Sequence, residues 1–205
     1  MTDARQLVAQ GYDVIAERYL ETYARSTVRD RWAAELIAHL PVGGRVLDLG
    51  CGAGIPVARD LAARGFAVTG VDGSPRQIDL ARRNVPAATF LCADMTAVEF
   101  SPASFDGVGA FYSLTHVPRE EHAALLSRIA GWLNPGGVLV ASLGAHALEE
   151  RTEDWLGAPM VFSHYDAATN ERLVREAGFA LDRAEIMQQD NEPARFLWVV
   201  GKRLD

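Results

Sequence analysis

The chain has 205 residues, of which 49% are hydrophobic, and a formal net charge of −7. This length and composition predict one folded domain, and the acidic balance argues against a nucleic-acid partner. No run is apolar enough for a membrane span, the first residues lack the apolar core of a signal peptide, and the two cysteines are too far apart for a metal pair. We therefore expect a cytoplasmic monomer or homodimer that binds no metal, membrane or nucleic acid.

The first 144 residues alternate between helical and strand-like patterns. Two amphipathic helices, about 4–25 and 28–39, precede a Pro-Val-Gly-Gly turn, and Gly11 interrupts the apolar stripe of the first. The predicted strands are 45–50, 66–71, 88–92, 105–111 and 137–143, and the predicted helices between them are 55–64, 75–83 and 118–132. Strands that alternate with helices are typical of a parallel sheet covered on both faces.

The pattern changes after residue 144. Residues 145–163 are expected to be irregular, a helix is expected at 167–177, and two strand-like runs, 179–187 and 195–202, predict a terminal hairpin at one sheet edge. The predicted fold is α/β, a doubly wound and mostly parallel seven-stranded sheet with a C-terminal antiparallel hairpin. Its expected divisions are lid helices (1–40), a cofactor-binding core (41–144), an insertion over the substrate pocket (145–165) and a C-terminal helix and hairpin (166–205).

A glycine-rich turn follows the first predicted strand. Gly50, Gly52 and Gly54 stand at alternate positions, and Asp72 closes the next apolar run, 22 residues after Gly50. Glycine lets the backbone turn sharply and lets a ligand lie against it, and a carboxylate at this spacing suits a ribose diol. The alternative is that Asp72 caps the helix that Pro75 begins, although Ser74 is nearer to that cap.

Five segments in the correct order resemble the motifs of class I S-adenosylmethionine-dependent methyltransferases of the small-molecule type. They are residues 46–54, 68–74, 92–95, 105–112 and 133–139, and the lead helix at 12–19 also resembles that of small-molecule members. The resemblance implies S-adenosyl-L-methionine as cofactor. It further implies that Asp72 binds the ribose, Asp94 the adenine amino group and Met95 the adenine ring.

The predicted cofactor contacts extend beyond these three residues. Asp48 either orders the glycine turn through backbone hydrogen bonds or touches the ligand, and Tyr19 either closes over the cofactor or packs its helix on the core. The complete predicted set is Tyr19, Asp48, Gly50, Gly52, Gly54, Asp72, Gly73, Asp94, Met95 and Phe111. Cys51 and Cys92 are expected to be packed thiols.

The acceptor side is predicted from residues after the fourth strand and in the insertion. His116 and Tyr112 are the candidate catalytic residues, because the ligand end of such sheets lies there. His116 is a candidate general base, but it could equally fix the turn before Pro118 or line the pocket as a neutral donor. The predicted substrate pocket comprises Tyr12, Trp155, Met160, His164 and Tyr165.

These features predict methyl transfer to a small-molecule acceptor, at oxygen or nitrogen rather than carbon. One alternative is a protein that binds the cofactor without catalysing methyl transfer. A nicotinamide-dependent oxidoreductase fits less well, because its fingerprint requires a glycine where this chain has Ile55.

Overall fold

The computed structural model describes residues 4–190 and 192–205. The strands, numbered in chain order, are β1 (Arg45–Leu49), β2 (Ala67–Asp72), β3 (Thr89–Cys92), β4 (Phe105–Ala110), β5 (Leu133–Gly144), β6 (Leu148–Trp155), β7 (Ala158–His164), β8 (Phe179–Gln188) and β9 (Arg195–Arg203). The helices are α1 (Ala4–Tyr23), α2 (Thr27–Ala38), α3 (Val57–Ala63), α4 (Pro75–Asn84), α5 (His122–Trp132) and α6 (Ala167–Glu176), with short 3-10 turns at Leu114–His116 and Arg119–Glu121. None of the helices in the described ranges combines the length and apolar character needed to cross a bilayer.

Seven strands form one sheet in the order β3-β2-β1-β4-β5-β9-β8. The first five strands pair in parallel, and β9 pairs antiparallel with both β5 and β8. The predicted fold class, including the terminal hairpin at one sheet edge, is confirmed. Strand order reverses between β1 and β4, and ligands of open α/β sheets bind at the carboxyl ends of strands at such a point.

The sheet is buried on both faces, which explains the continuous apolar runs of its central strands. On one face, Leu47 and Val108 join a core with α5 and α6, and both side chains are fully buried. On the other face, Trp32 of α2 stacks on Trp198 of β9 with ring centroids 5.3 Å apart. These two layers hold the strand ends in place, so the loops that follow the strands have a rigid base.

Helix α1 crosses the ligand end of the sheet and packs on β7 at Gly11. A Cβ at Gly11 would lie 2.9 Å from Met160 Cε and from the Pro159 carbonyl oxygen. Gly11 therefore permits a close approach of helix and strand, which is why the apolar stripe of α1 is interrupted there without ending the helix.

The expectation of an irregular segment at 145–163 is wrong, because β6 and β7 form an antiparallel hairpin. Most side chains of β6 are exposed, so the strand lacks the alternation of apolar and polar residues that identifies a half-buried strand. Leu156 and Gly157 form its two-residue turn, with φ of 54° and 86°. Two positive φ angles in succession fit the turn type that hairpins prefer.

Two element boundaries also differ from the prediction. The predicted turn at 134–137 is an irregularity within β5, where Gly136 has φ of +75° and the register with β4 shifts. The predicted helix 118–132 begins as a 3-10 turn and becomes α-helical only at His122.

Candidate active site

A cavity of about 340 Å³ lies beneath α1 at the carboxyl ends of β1, β2 and β4. Eight of the ten predicted cofactor contacts line it: Tyr19, Gly50, Gly52, Asp72, Gly73, Asp94, Met95 and Phe111. We call this space the cofactor cavity. The helix α1 contributes residues that were not predicted, namely Arg5, Gln6, Val8 and Ala9.

The glycine turn forms one wall of the cofactor cavity. Gly50 and Gly52 have φ of +84° and +52°, and a Cβ on Gly50 would collide with the Ser113 side chain. Gly54 instead faces the protein interior, where an added Cβ would lie 3.2 Å from Val85 and 3.3 Å from Phe90. Gly54 lines neither the cofactor cavity nor the two others described below, so the structure places it in the turn and not in a ligand contact.

Asp72 lies at the end of β2 with its carboxylate in the cofactor cavity. Its oxygens accept hydrogen bonds from the backbone N–H of Gly52 and of Ser74, each at 2.9 Å. The helix α4 is capped by Ser74, whose Oγ accepts from Gln77 N at 3.0 Å. Burial raises the pKa of Asp72, although the two backbone N–H groups oppose the shift. The cap is thus supplied by Ser74, and the remaining lone pairs of Asp72 are available to a ligand.

Asp94 and Met95 follow β3 and also line the cofactor cavity. Asp94 accepts from the backbone N–H of Thr96 at 2.8 Å and lies 3.7 Å from Arg5 Nε. Met95 lines the same cavity near the glycine turn. The acid and the thioether therefore stand together, as the resemblance implies for an adenine site.

A small cavity of about 40 Å³ extends from the glycine turn towards Asp48 and Arg29. Asp48 is 3% exposed, its Oδ2 has no hydrogen-bond partner in the described part of the chain, and burial raises its pKa to about 7 while Arg29 opposes that shift. Arg29 is 5% exposed and donates to the Tyr23 carbonyl oxygen at 3.1 Å and the Tyr19 hydroxyl at 3.3 Å. Sequence reasoning missed Arg29, because only the fold brings α2 to the glycine turn.

A second cavity, of about 410 Å³, adjoins the first. Its walls come from α1, the hairpin β6–β7 and the turn before β9, and we call it the acceptor cavity. Four residues line both cavities: Tyr12, Tyr19, Tyr112 and His116. This shared wall is the place where groups bound in the two cavities would meet.

His116 is held in one tautomer by its two hydrogen bonds. Its Nδ1 lies 2.8 Å from the Val161 carbonyl oxygen, which can only accept, so Nδ1 carries the hydrogen. Its Nε2 then accepts from the Tyr12 hydroxyl at 2.9 Å. Burial lowers the pKa of His116 to about 4 and raises that of Tyr12. Both groups are therefore neutral near pH 7, and the lone pair that a general base requires is already engaged by Tyr12.

Tyr112 follows β4 with φ of 58°, a left-handed conformation that bulky residues rarely adopt. Its backbone N–H donates to Ser142 Oγ at 2.5 Å, and the Arg29 guanidinium carbon lies 5.2 Å from its ring centroid. Burial raises the pKa of its phenol. The unusual backbone turns Tyr112 into the shared wall as a neutral aromatic group.

The other predicted pocket residues divide into two groups. Trp155 and His164 line the acceptor cavity. Met160 does not, because the close approach of α1 at Gly11 buries it completely. Tyr165 does not either, since its ring turns towards His122, with a centroid distance of 6.0 Å. The prediction that Met160 and Tyr165 line the substrate pocket is thus wrong.

The two cysteines have different environments. Cys51 is buried beside the glycine turn, and burial raises the pKa of its thiol. Cys92 is exposed at the end of β3, so the expectation of a packed thiol is wrong there. The edge strand β3 leaves this side chain uncovered.

The fold is Rossmann-like, with a site for a nucleotide-type cofactor. It is defined by a mostly parallel sheet with a glycine turn, by carboxylates at successive strand ends and by a helix across the opening. The profile of a family described as "Methyltransferase domain" matches residues 46–137. The 27-O-demethylrifamycin SV methyltransferase of Amycolatopsis mediterranei is 29% identical over 220 aligned positions, which cover 91% of this chain and 78% of that enzyme. The ubiquinone biosynthesis O-methyltransferase of Methylocella silvestris is 31% identical over 170 positions, 79% of this chain and 64% of that enzyme.

The fold is also that of solved methyltransferases. The magnesium protoporphyrin IX methyltransferase from Synechocystis PCC 6803 superposes with a TM-score of 0.78 at 20% identity, over 99% of this chain and 98% of that one. The family profile and these relatives support the assignment to class I S-adenosylmethionine-dependent methyltransferases that the motifs predicted. It spans less than half the length of four further curated relatives.

The residues present fit the cofactor of that family, S-adenosylmethionine. A glycine turn open to a cavity, the free carboxylate oxygen of Asp48 and the buried cation of Arg29 match the charges of its amino-acid part. Asp72 and Asp94 place carboxylate acceptors in one cavity, as the hydroxyl and amino groups of a nucleoside require.

Proposed function

We propose that the protein transfers a methyl group from S-adenosylmethionine to an oxygen or nitrogen atom of a small organic acceptor. The observation that carries this proposal is the wall of Tyr12, Tyr19, Tyr112 and His116 shared by two adjacent cavities. One cavity has the donors and acceptors that a nucleoside requires, and six Tyr, Trp and Phe side chains line the other.

The nucleoside end of the cofactor is assigned to three residues. Asp72 accepts from the ribose diol, Asp94 accepts from the adenine amino group, and Met95 packs on the ring. Support comes from their placement along one cavity and from the lone pairs that Asp72 retains after binding Gly52 and Ser74.

The amino-acid end is assigned to the small cavity beside the glycine turn. Arg29 pairs with the carboxylate, Asp48 accepts from the ammonium group, and the backbone of Gly50 and Gly52 lies along the chain between them. Oδ2 of Asp48 is free, and Arg29 donates to the neutral oxygens of Tyr23 and Tyr19, so each group gains an oppositely charged partner when a zwitterion enters.

When bound, S-adenosylmethionine supplies an activated methyl group on a sulfonium centre. The protein residues bind the two reactants, align them and keep water from the junction. Such alignment lowers a barrier by about 7–11 kcal/mol in favourable cases. Tyr12 and His116 form a neutral, fixed hydrogen-bond pair at the junction, which suits orientation of the acceptor.

The acceptor atom is assigned from the protonation states of His116 and Tyr112 in the shared wall, where the two cavities meet. A carbon acceptor needs a base to generate carbanion character, whereas a phenol, carboxylate or amine carries its own lone pair. The pKa of His116 is lowered to about 4, and that of the Tyr112 phenol is raised, so neither group is a strong base near pH 7. The names of the 27-O-demethylrifamycin SV and ubiquinone biosynthesis O-methyltransferases likewise describe transfer to oxygen.

The first experiment is calorimetric titration of the protein with S-adenosylhomocysteine and, separately, with NADH. Saturable binding of S-adenosylhomocysteine alone is expected, and preferential binding of NADH would contradict the assignment. The second is a turnover assay in which S-adenosylmethionine and a panel of phenols, carboxylic acids and amines are incubated with the protein. Release of S-adenosylhomocysteine with a methylated product is expected. Tight cofactor binding without turnover of any acceptor would favour a non-catalytic binding protein.

A further inference from the structure

We propose that the acceptor cavity takes a flat aromatic molecule bearing a carboxylate, and that Arg195 pairs with that carboxylate at the cavity mouth. The inference rests on the proposed function and names the substrate class of the same site. It is carried by the aromatic lining of the cavity and by the arrangement of charges around its opening.

The aromatic lining is centred on Trp155. Its ring stacks on Tyr23 at 5.8 Å and 19°, and it meets Phe162 edge-on at 6.2 Å and 90°. Tyr12 approaches the same ring at 6.1 Å and 73°. These contacts fix the Trp155 ring, and Trp155, Tyr12 and Phe162 all contribute to the cavity wall, where a planar aromatic molecule can pack against them. The volume of about 410 Å³ falls within the usual range for small-ligand pockets.

The charged side chains at the mouth differ in whether they have a partner. Arg151 pairs with Glu153 on β6, and both line the cavity. Glu192 accepts from the Tyr23 hydroxyl, and burial raises its pKa. Arg195 also lines the cavity and has no ion pair or side-chain hydrogen bond among residues 4–190 and 192–205. In a chain with a net charge of −7, an arginine without a partner at a cavity mouth points to an anionic ligand.

The turn that carries Arg195 is anchored to the rest of the molecule. Asp190 accepts from Ser26 Oγ at 2.7 Å, from Thr27 Oγ1 at 2.8 Å and from Val28 N at 3.1 Å at the start of α2. Arg195 is the first residue of β9 and pairs with Gln188 of β8. The guanidinium therefore extends from a fixed backbone position, and a carboxylate bound there forms the bidentate pair that arginine favours.

The test uses protein saturated with S-adenosylhomocysteine and titrated with 3-hydroxy-2-naphthoate or its neutral analogue, 3-hydroxy-2-naphthamide. We expect the carboxylate to bind at least fivefold more tightly than the amide, with the preference lost in Arg195→Gln. Arg25→Gln is the matched control, because Arg25 is exposed and lines none of the three cavities. Trp155→Ala is expected to weaken both naphthalene ligands alike, because it removes aromatic surface but leaves Arg195 in place.

The outcomes separate the two proposals. Failure of wild-type protein to bind S-adenosylhomocysteine would contradict the proposed function. If S-adenosylhomocysteine binds normally, the proposed function stands, and each of three results would overturn only the present inference. These are that the naphthoate does not bind, that the amide binds equally well, or that Arg25→Gln removes the preference as effectively as Arg195→Gln.

Discussion

Replacement of Asp72 by alanine tests the centre of the cofactor site. The carboxylate accepts two backbone N–H groups at 2.9 Å and faces the cofactor cavity. Hydrogen bonds to a charged acceptor contribute about 1.5–3 kcal/mol each, so loss of the ribose contacts weakens binding by at least about 1.4 kcal/mol, a factor of ten. Calorimetry should record this loss for S-adenosylhomocysteine and equally for 5′-methylthioadenosine, which retains the ribose but lacks the amino-acid part.

The same substitution also affects stability, which a control must separate from binding. The N–H groups of Gly52 and Ser74 lose their acceptor, at a cost of about 2 kcal/mol, or about 4–8 °C in Tm. Asp106→Ala is the matched control, because Asp106 accepts from Arg45 N and Asn134 Nδ2, each at 2.7 Å, at the opposite end of the sheet. The reasoning is refuted if folded Asp72→Ala binds S-adenosylhomocysteine normally, or if Asp106→Ala weakens binding as much.

Three further predictions concern the small cavity and the shared wall. Arg29→Met should weaken S-adenosylhomocysteine at least about tenfold in calorimetry while sparing 5′-methylthioadenosine, and an equal loss for both ligands would contradict the carboxylate assignment. Burial raises the pKa of Asp48 to about 7 in the folded protein, so the wild type should lose stability as pH rises from about 4 to 7. In denaturant titrations, Asp48→Asn should not show this loss. Parallel pH profiles for the two proteins would contradict the role assigned to Asp48. Tyr12→Phe removes the hydrogen bond from α1 to His116, which contributes about 0.5–1.5 kcal/mol. Release of S-adenosylhomocysteine in stopped-flow experiments should therefore become about 2–10-fold faster. An unchanged rate would mean that this hydrogen bond does not hold α1 closed.

The cofactor side could be predicted from the sequence because its signal is local. Gly50 and Gly52 follow one strand, Asp72 ends the next, and adjacent parallel strands bring their ends together. Gly54 shows the limit of such a pattern. Its spacing matches the motif, but the conformation of the turn decides which side of the residue faces the cavity. The structure places the Cβ position of Gly54 against Val85 and Phe90.

The acceptor side could not be predicted to the same extent, because its residues meet only through tertiary packing. Met160 and Phe162 lie on the same face of β7, yet only Phe162 reaches the cavity, since α1 covers Met160 at Gly11. Nothing local to either residue distinguishes them. Arg195 is equally inconspicuous in the sequence, as its significance depends on the turn that places it beside a hairpin formed far away in the chain.

The origin of the shared wall links the two halves of the site. Tyr12 and Tyr19 come from α1, which covers the cofactor cavity, whereas Tyr112 and His116 come from the rigid segment after β4. The acceptor cavity is therefore complete only when α1 is in place. An acceptor that contacts Tyr12 stabilises the same closed position that retains the cofactor, and by linkage each ligand must then favour the other to the same degree. Variation in α1, the β6–β7 hairpin and the turn before β9 can consequently change the acceptor while the glycine turn and Asp72 continue to hold the same cofactor.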